Sequence, residues 1–400
     1  MATLLLLVIY LAFISLGLPD SLLGVAWPLM QRDLRVPLEA AGLISMFIAG
    51  GTIVSSFLSG AVHKRLSTGK VTFISCMMTG LALLGIHFSP SFPWLLLLAV
   101  PLGLGAGSVD AALNNYVAAH YKASHMSWLH SLWGFGATLG PIIMSQFIAL
   151  RDSWRSGYLT IAAIQLSLAV ILFAALPLWK RMASGEHREH AIPADGQDAA
   201  GDKSGRIKPM KIRGVKYALL TFLFYCGSEG TIGLWGSSFL INIKHISAAT
   251  AAQWVSLYYG GITVGRVLSG FITMRVDNRT LIRAGLLISL TGLLLLLAPL
   301  PDAFSLIGLV LVGLGFAPVF PGMIHETPVR FGKENSQAVI GYQMGFAYIG
   351  STFLPPLLGI AAARTTIGLY PYFVIAYIIV ILISTERINA LMKKRSVHGK

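Results

Sequence analysis

Three features of the sequence predict an all-α integral membrane protein of twelve transmembrane helices in two pseudo-symmetric six-helix bundles. Apolar runs of membrane-crossing length fill most of the chain. Of 400 residues, 55% are hydrophobic and 12% charged, against roughly 25% charged in soluble domains, so there is too little charge to cover a water-soluble surface. The third feature is a repeat. Gly50-Gly51, Leu58-Ser-Gly60 and Arg65 recur 210 positions later as Gly260-Gly261, Leu268-Ser-Gly270 and Arg275. Gly103 and Gly105 recur at Gly313 and Gly315, and Gly134-Phe135 recurs one position further on, at Gly345-Phe346.

A bilayer core about 30 Å thick needs about 20 apolar residues per helix. Applied in order, that length gives spans at 4–30, 38–62, 71–89, 94–118, 128–150 and 158–179. The first is too long for a signal-peptide core, contains an acid and runs straight into further spans, which makes it a helix that stays. A hydrophilic stretch, 180–216, follows, acidic and small-residue-rich from Glu186 to Gly205 and basic from Arg206 to Lys216. Its composition is that of a linker. The second set of spans lies at 217–243, 251–272, 281–300, 304–327, 338–362 and 370–384. The expected organisation is therefore an N-terminal bundle at 1–179, a cytoplasmic linker at 180–216 and a C-terminal bundle with its tail at 217–400. A repeat that covers six spans gives two halves of like topology, related by an axis along the membrane normal.

The net charge of +14 could suggest nucleic acid, but the basic residues sit between apolar runs, where they orient a membrane protein instead. With both termini in the cytoplasm, Lys64, Arg65, Lys70, Lys122, the 180–216 loop, Arg275, Arg279, Arg283, Arg330, Lys333 and the basic tail lie inside. Arg32, Arg35, Arg151, Arg155, Lys244 and Arg364 are left outside. The expected location is the cytoplasmic (inner) membrane, multi-pass, with no nucleic-acid partner and a monomeric chain. Cys76 and Cys226 fall within apolar runs as packing thiols. No metal-ligand spacing appears, and Gly103-Leu-Gly-Leu-Gly107 has neither the preceding strand nor the lysine of a phosphate loop. No cofactor, metal or enzymatic activity is expected.

The glycine-plus-basic turns after spans 2 and 8 resemble those of the major facilitator superfamily. Gly60-Ala-Val-His-Lys-Arg-Leu-Ser-Thr-Gly-Lys70 keeps the glycine and basic residues but lacks the family's acid, whereas Gly270-Phe-Ile-Thr-Met-Arg-Val-Asp-Asn-Arg279 has Asp277. A narrower resemblance is to the fucose:proton symporter family of sugar transporters. Gly105-Ala-Gly-Ser-Val-Asp-Ala-Ala-Leu-Asn-Asn115, His130-Ser-Leu-Trp-Gly-Phe-Gly-Ala-Thr-Leu-Gly-Pro141 and Gly227-Ser-Glu-Gly-Thr-Ile-Gly-Leu-Trp235 carry it. Gly265-Arg266, Gly315-Phe-Ala-Pro-Val-Phe-Pro321 and Gly341-Tyr-Gln-Met344 extend it. The resemblance implies the major facilitator fold and proton-coupled monosaccharide transport, and it gives acids on spans 1 and 4, here Asp20 and Asp110, roles in proton movement and sugar binding.

An ionisable group in mid-bilayer costs a few kcal/mol and by default faces an internal cavity. Asp20, Asp110 and Glu229 are three such acids. Asp20 and Glu229 stand 209 positions apart, at nearly equivalent places in the two halves. In a cavity of low dielectric a carboxyl group can exchange protons near neutral pH, and protonation removes the charge that opposes helix rearrangement. The alternative role is a structural hydrogen-bond acceptor. All three are coupling candidates, with sodium as the other candidate ion.

Asp110 and Asn114 share a helical face and offer a carboxylate and an amide to one ligand, with Asn115 beside them. His130 and Trp133 open span 5. In the second half Tyr225, Trp235, Tyr258, Tyr342 and Gln343 supply aromatic faces for a pyranose ring and an amide for its hydroxyls, or else packing and interfacial anchoring. Arg266, the one basic residue deep within a span, is expected to pair with Glu326 as a gating or structural contact. Together these features predict a secondary carrier for a small polar solute, a monosaccharide in the leading reading. The alternatives are an efflux carrier for amphipathic compounds and a polytopic enzyme or receptor.

Overall fold

Long apolar stretches with few β-branched runs leave the backbone one way to satisfy its hydrogen bonds in lipid, namely within helices. A computed structural model describes residues 2–63, 65–121, 123–179 and 209–398. Lys64, Lys122 and positions 180–208 of the expected linker lie outside the described residues. The helices of the first half are α1 (Ala2–Asp20), α2 (Leu22–Leu34), α3 (Ala40–His63), α4 (Thr68–His87), α5 (Phe92–His120), α6 (Ala123–Arg151) and α7 (Trp154–Ala174). Those of the second are α8 (Val215–Asn242), α9 (Ala248–Ile272), α10 (Asn278–Leu297), α11 (Asp302–Phe316), α12 (Val319–Phe331), α13 (Lys333–Arg364) and α14 (Tyr370–His398).

Two expected spans are each broken into a pair of helices. Between α1 and α2, Pro19 has no N–H to give the Ser15 carbonyl, and the hydroxyl of Ser21, at the break, donates to the Ala137 carbonyl of α6 at 2.8 Å. Between α11 and α12 the interruption falls at Ala317-Pro318, for the same reason. Counting each broken pair once, the chain makes twelve helical passes in the described residues. Ten of these are long and apolar enough to cross a membrane by length and composition alone. The other two, α8 and α9, are 28 and 25 residues long, and their apolar runs are interrupted by Glu229 and Arg266.

The same pairings recur in both halves. α1 packs on α6 as α8 does on α13, α3 on α5 as α9 on α11, and α4 on α7 as α10 on α14. The outer surface is apolar: Phe57 is 85% exposed, and Leu97, Val170, Phe173, Phe271 and Leu294 also point outward. Such a continuous apolar belt suits lipid and would be a liability in water.

The halves meet through α2 with α8, α3 with α13, and α6 with α9. At the end away from the termini the contact is backbone on backbone. A Cβ on Gly24 of α2 would overlap the Gly233 carbonyl of α8, and one on Gly42 would lie 3.0 Å from Pro356. The Trp235 indole of α8 donates to the Pro355 carbonyl of α13 at 2.7 Å and ties together the two second-half helices that form this seal. At the terminal end, Gly341 and Gly345 on α13 have open space where a Cβ would be. A cleft therefore opens between the halves toward the end that holds both termini.

Candidate functional site

The break after α1 leaves Asp20 as the last helical residue of that segment, exposed although it sits at mid-span. The Trp133 indole N–H, on α6, donates to its Oδ2 at 2.7 Å. Across the cleft, the Arg266 guanidinium of α9 stands over the Trp133 ring, 5.6 Å from its centroid. That contact crosses from one half to the other, and a half-buried cation–π pair of this kind is worth about 1 kcal/mol. Arg266 also interacts electrostatically with Glu229 and Tyr225 of α8 and with Tyr258. It approaches the Tyr225 hydroxyl without closing a well-formed bond, so that buried oxygen is left unpartnered. His130 is exposed, feels the Arg266 charge and sits edge-on to Phe13 at 5.8 Å.

Asp20 is within electrostatic reach of both Asp110 and Glu229. Asp110 accepts a hydrogen bond from Asn114 Nδ2 at 2.9 Å, one turn along α5, and Asn114 Oδ1 is buried without a partner. Tyr348 on α13 faces Asp110 and lies beside Ser56 of α3. The structure thus places Asp20, Asp110, Asn114, His130, Trp133, Tyr225, Glu229 and Arg266 around one polar cleft built from both halves.

Other expected residues fall elsewhere. Trp235 is fully buried at the seal, and Gln343 is fully buried and exchanges two hydrogen bonds with Thr327, at 3.1 and 3.2 Å. Neither offers a polar atom to the cleft, because each is already spent on a neighbouring helix. Tyr258 is completely buried against Tyr259, their rings 5.0 Å apart. Asn115 is exposed on α5, and Tyr342 is 45% exposed toward the open end of α13.

The expected Arg266–Glu326 pair is not formed. Glu326 faces α10 at the terminal end, where Arg279 reaches it at 3.6 Å and Arg330, one turn along α12, at 3.3 Å. Arg266 looks into the cleft instead. Arg330 is buried, and its guanidinium also donates to Asn389 at 3.3 Å. Removing Glu326 strands that charge, so Glu326→Ala is expected to cost about 3–5 kcal/mol, seen as lower thermal stability in detergent. Adding Arg330→Met should return part of the loss; strictly additive losses would show that the two side chains act separately.

Two cleft residues escaped the sequence reading. Tyr259 interacts with Glu229 and Asp20, and its hydroxyl occupies the space a Cβ on Gly233 would need. The signal was present: Tyr259, Thr263 and Arg266 follow i, i+4, i+7 spacing, one stripe of a helix. Tyr348 had no comparable marker.

Two bundles of like topology around a polar, charge-lined cleft, in a chain with an apolar outer belt, make a multi-pass membrane transporter rather than an enzyme. The chain belongs to the Major Facilitator Superfamily, whose family model matches residues 9–214 and 217–396. It is similar to the glucose/mannose transporter GlcP of Bacillus subtilis (strain 168), 24% identical over 324 residues, 78% of this chain and 77% of that protein. It is also similar to the cis,cis-muconate transport protein of Acinetobacter baylyi (strain ATCC 33305 / BD413 / ADP1), 21% identical over 373 residues, 90% of this chain and 87% of that protein. Among solved structures, FucP, a superfamily transporter crystallised in the outward conformation, superposes with a TM-score of 0.61 at 17% identity, covering 95% of this chain and 97% of that one.

Proposed function

We propose that this chain carries a monosaccharide across the cytoplasmic membrane by alternating access, driven by a proton gradient. One observation carries the reading: Asp20, Asp110 and Glu229 share a cleft whose walls come from both halves. A carboxyl group there can bind a proton, and a change in its charge alters contacts that cross between the bundles. Asn114, His130, Trp133 and the tyrosines give hydroxyl-bonding groups and ring faces for a sugar. The glucose/mannose transporter among the relatives supports this substrate class. The working unit is a monomer of two bundles, 1–179 and 217–400, joined by the 180–216 linker, with both termini in the cytoplasm.

Uptake into proteoliposomes tests the reading, with labelled glucose, mannose and fucose and with or without an imposed pH gradient. Accumulation of at least one sugar that needs the gradient is expected. If no monosaccharide accumulates, the substrate class is wrong, and if only a sodium gradient drives uptake, the proton is. The orientation has its own check. A tag placed in 180–216 should react with impermeant reagents only after the membrane is opened, and labelling on intact cells would invert the topology.

A further inference from the structure

The carriers similar to this chain include one for a glucose/mannose class of solute and one for cis,cis-muconate, a dicarboxylate, so membership of the family leaves the charge of the substrate open. The cleft's own charge bears on it. Three carboxylates share the cleft, Asp20 lying within electrostatic reach of both Asp110 and Glu229, and among the described residues there the one guanidinium, that of Arg266, is engaged by Glu229. Loading one carboxylate with a coupling proton leaves two acids against one cation. Among the described residues His130 is the remaining titratable group of this kind in the cleft, beside Arg266, and protonating it would at most offset one further charge.

Nor is Arg266 free to receive an anion. The ring of Trp133 covers it at 5.6 Å, Tyr225 lies against it and Glu229 already interacts with its charge. A carboxylate or phosphate taken out of water needs a cation with donors to spare, held bidentately where possible. Uncharged hydroxyls have no such need. They find acceptors in the carboxylates, of which Asp20 is exposed to the cleft.

We propose that the cleft selects against negative charge, so that its substrate is a sugar that is neutral or carries an amine, while sugar acids and sugar phosphates are excluded. The proposal rests on the monosaccharide reading for its substrate class and on the cleft geometry for its sign.

Two measurements decide it. In the first, unlabelled glucose, glucosamine, glucuronate and glucose 6-phosphate compete with labelled glucose in counterflow. Glucose and glucosamine should compete, and the two anions should be weaker by roughly 100-fold or more, the scale of one like-charge contact in a poorly screened site. Competition by glucuronate or glucose 6-phosphate equal to that by glucose overturns the proposal.

The second measurement needs no sugar and stands even if glucose is not bound. Ser56→Cys and His130→Cys are made separately in a Cys76→Ser/Cys226→Ser background and treated with cationic and anionic methanethiosulfonate reagents. Rates are normalised to those of free cysteine. The cationic reagent should be favoured at both positions, on the order of tenfold beside Asp110 and less beside Arg266. A normalised ratio at or below one at either position overturns the proposal, whatever the transport assay reads. Failure of every sugar to compete, with the cationic preference intact, overturns only the monosaccharide reading.

Discussion

Asp110→Asn should abolish uphill transport and leave exchange intact. The substitution fixes the neutral state of the side chain, and the site can accept it without strain. Asp110 now receives a hydrogen bond from Asn114 Nδ2 at 2.9 Å while Asn114 Oδ1 has no partner, so an amide at position 110 can both accept from and donate to its neighbour. The fold should therefore survive. A one-unit pH gradient is worth about 1.4 kcal/mol per proton, enough for roughly tenfold accumulation at one proton per sugar. The parent protein should approach that ratio, and the variant should stop near unity while its counterflow stays within about twofold of normal. Both are read in the same vesicles. Accumulation equal to the parent's would mean that this carboxylate is only structural, and Glu229 would take its place as the candidate.

Gly24→Val should stop transport without unfolding the protein. Any Cβ at position 24 overlaps the Gly233 carbonyl of the other half, and a backbone oxygen cannot swing aside as a side chain can. The clash lies between the bundles and not inside one, so each bundle keeps its own packing. A fall in counterflow of at least tenfold is expected, with a melting temperature within a few degrees of the parent's. Gly341→Val is the control for stability, since that position opens on empty space. Retention of more than half the parent's counterflow by Gly24→Val would show that the two helices need not approach so closely.

How much of this could be read from the sequence depends on the kind of information involved. Passes and halves are written in hydropathy and in a repeat of glycines, both one-dimensional signals, and the structure repeats the same helix pairings in each half. The breaks in the first and tenth passes depend on Pro19 and Pro318 acting with a neighbour, and a span rule that counts apolar residues passes over them. The acids were legible because a charge in lipid needs an internal reason. Gln343 and Trp235 were not, since an indole or amide reads the same whether it faces a cleft or ties two helices together. The partner of Arg266 was likewise hidden. Depth placed it near Glu326, but rotation about the helix axis turned it to Trp133 and Glu229, and that rotation is fixed by packing between helices that the sequence does not state.

The polar character of α8 and α9 bears on how the protein is made. Ten of its passes are long and apolar enough to cross a membrane by length and composition alone, and these two are not among them. They lean on other helices: α8 on α2, α13 and α14, α9 on α6 and α11. Of these, α11, α13 and α14 are synthesised after them. During translation, α8 and α9 therefore leave the translocation machinery with only the first half in place to receive them, and they become secure when the last helices arrive. The first half can assemble as it emerges, but the second must wait for its end. A chain cut after α9 should leave that hairpin poorly integrated, which a glycosylation site placed between the two helices would report.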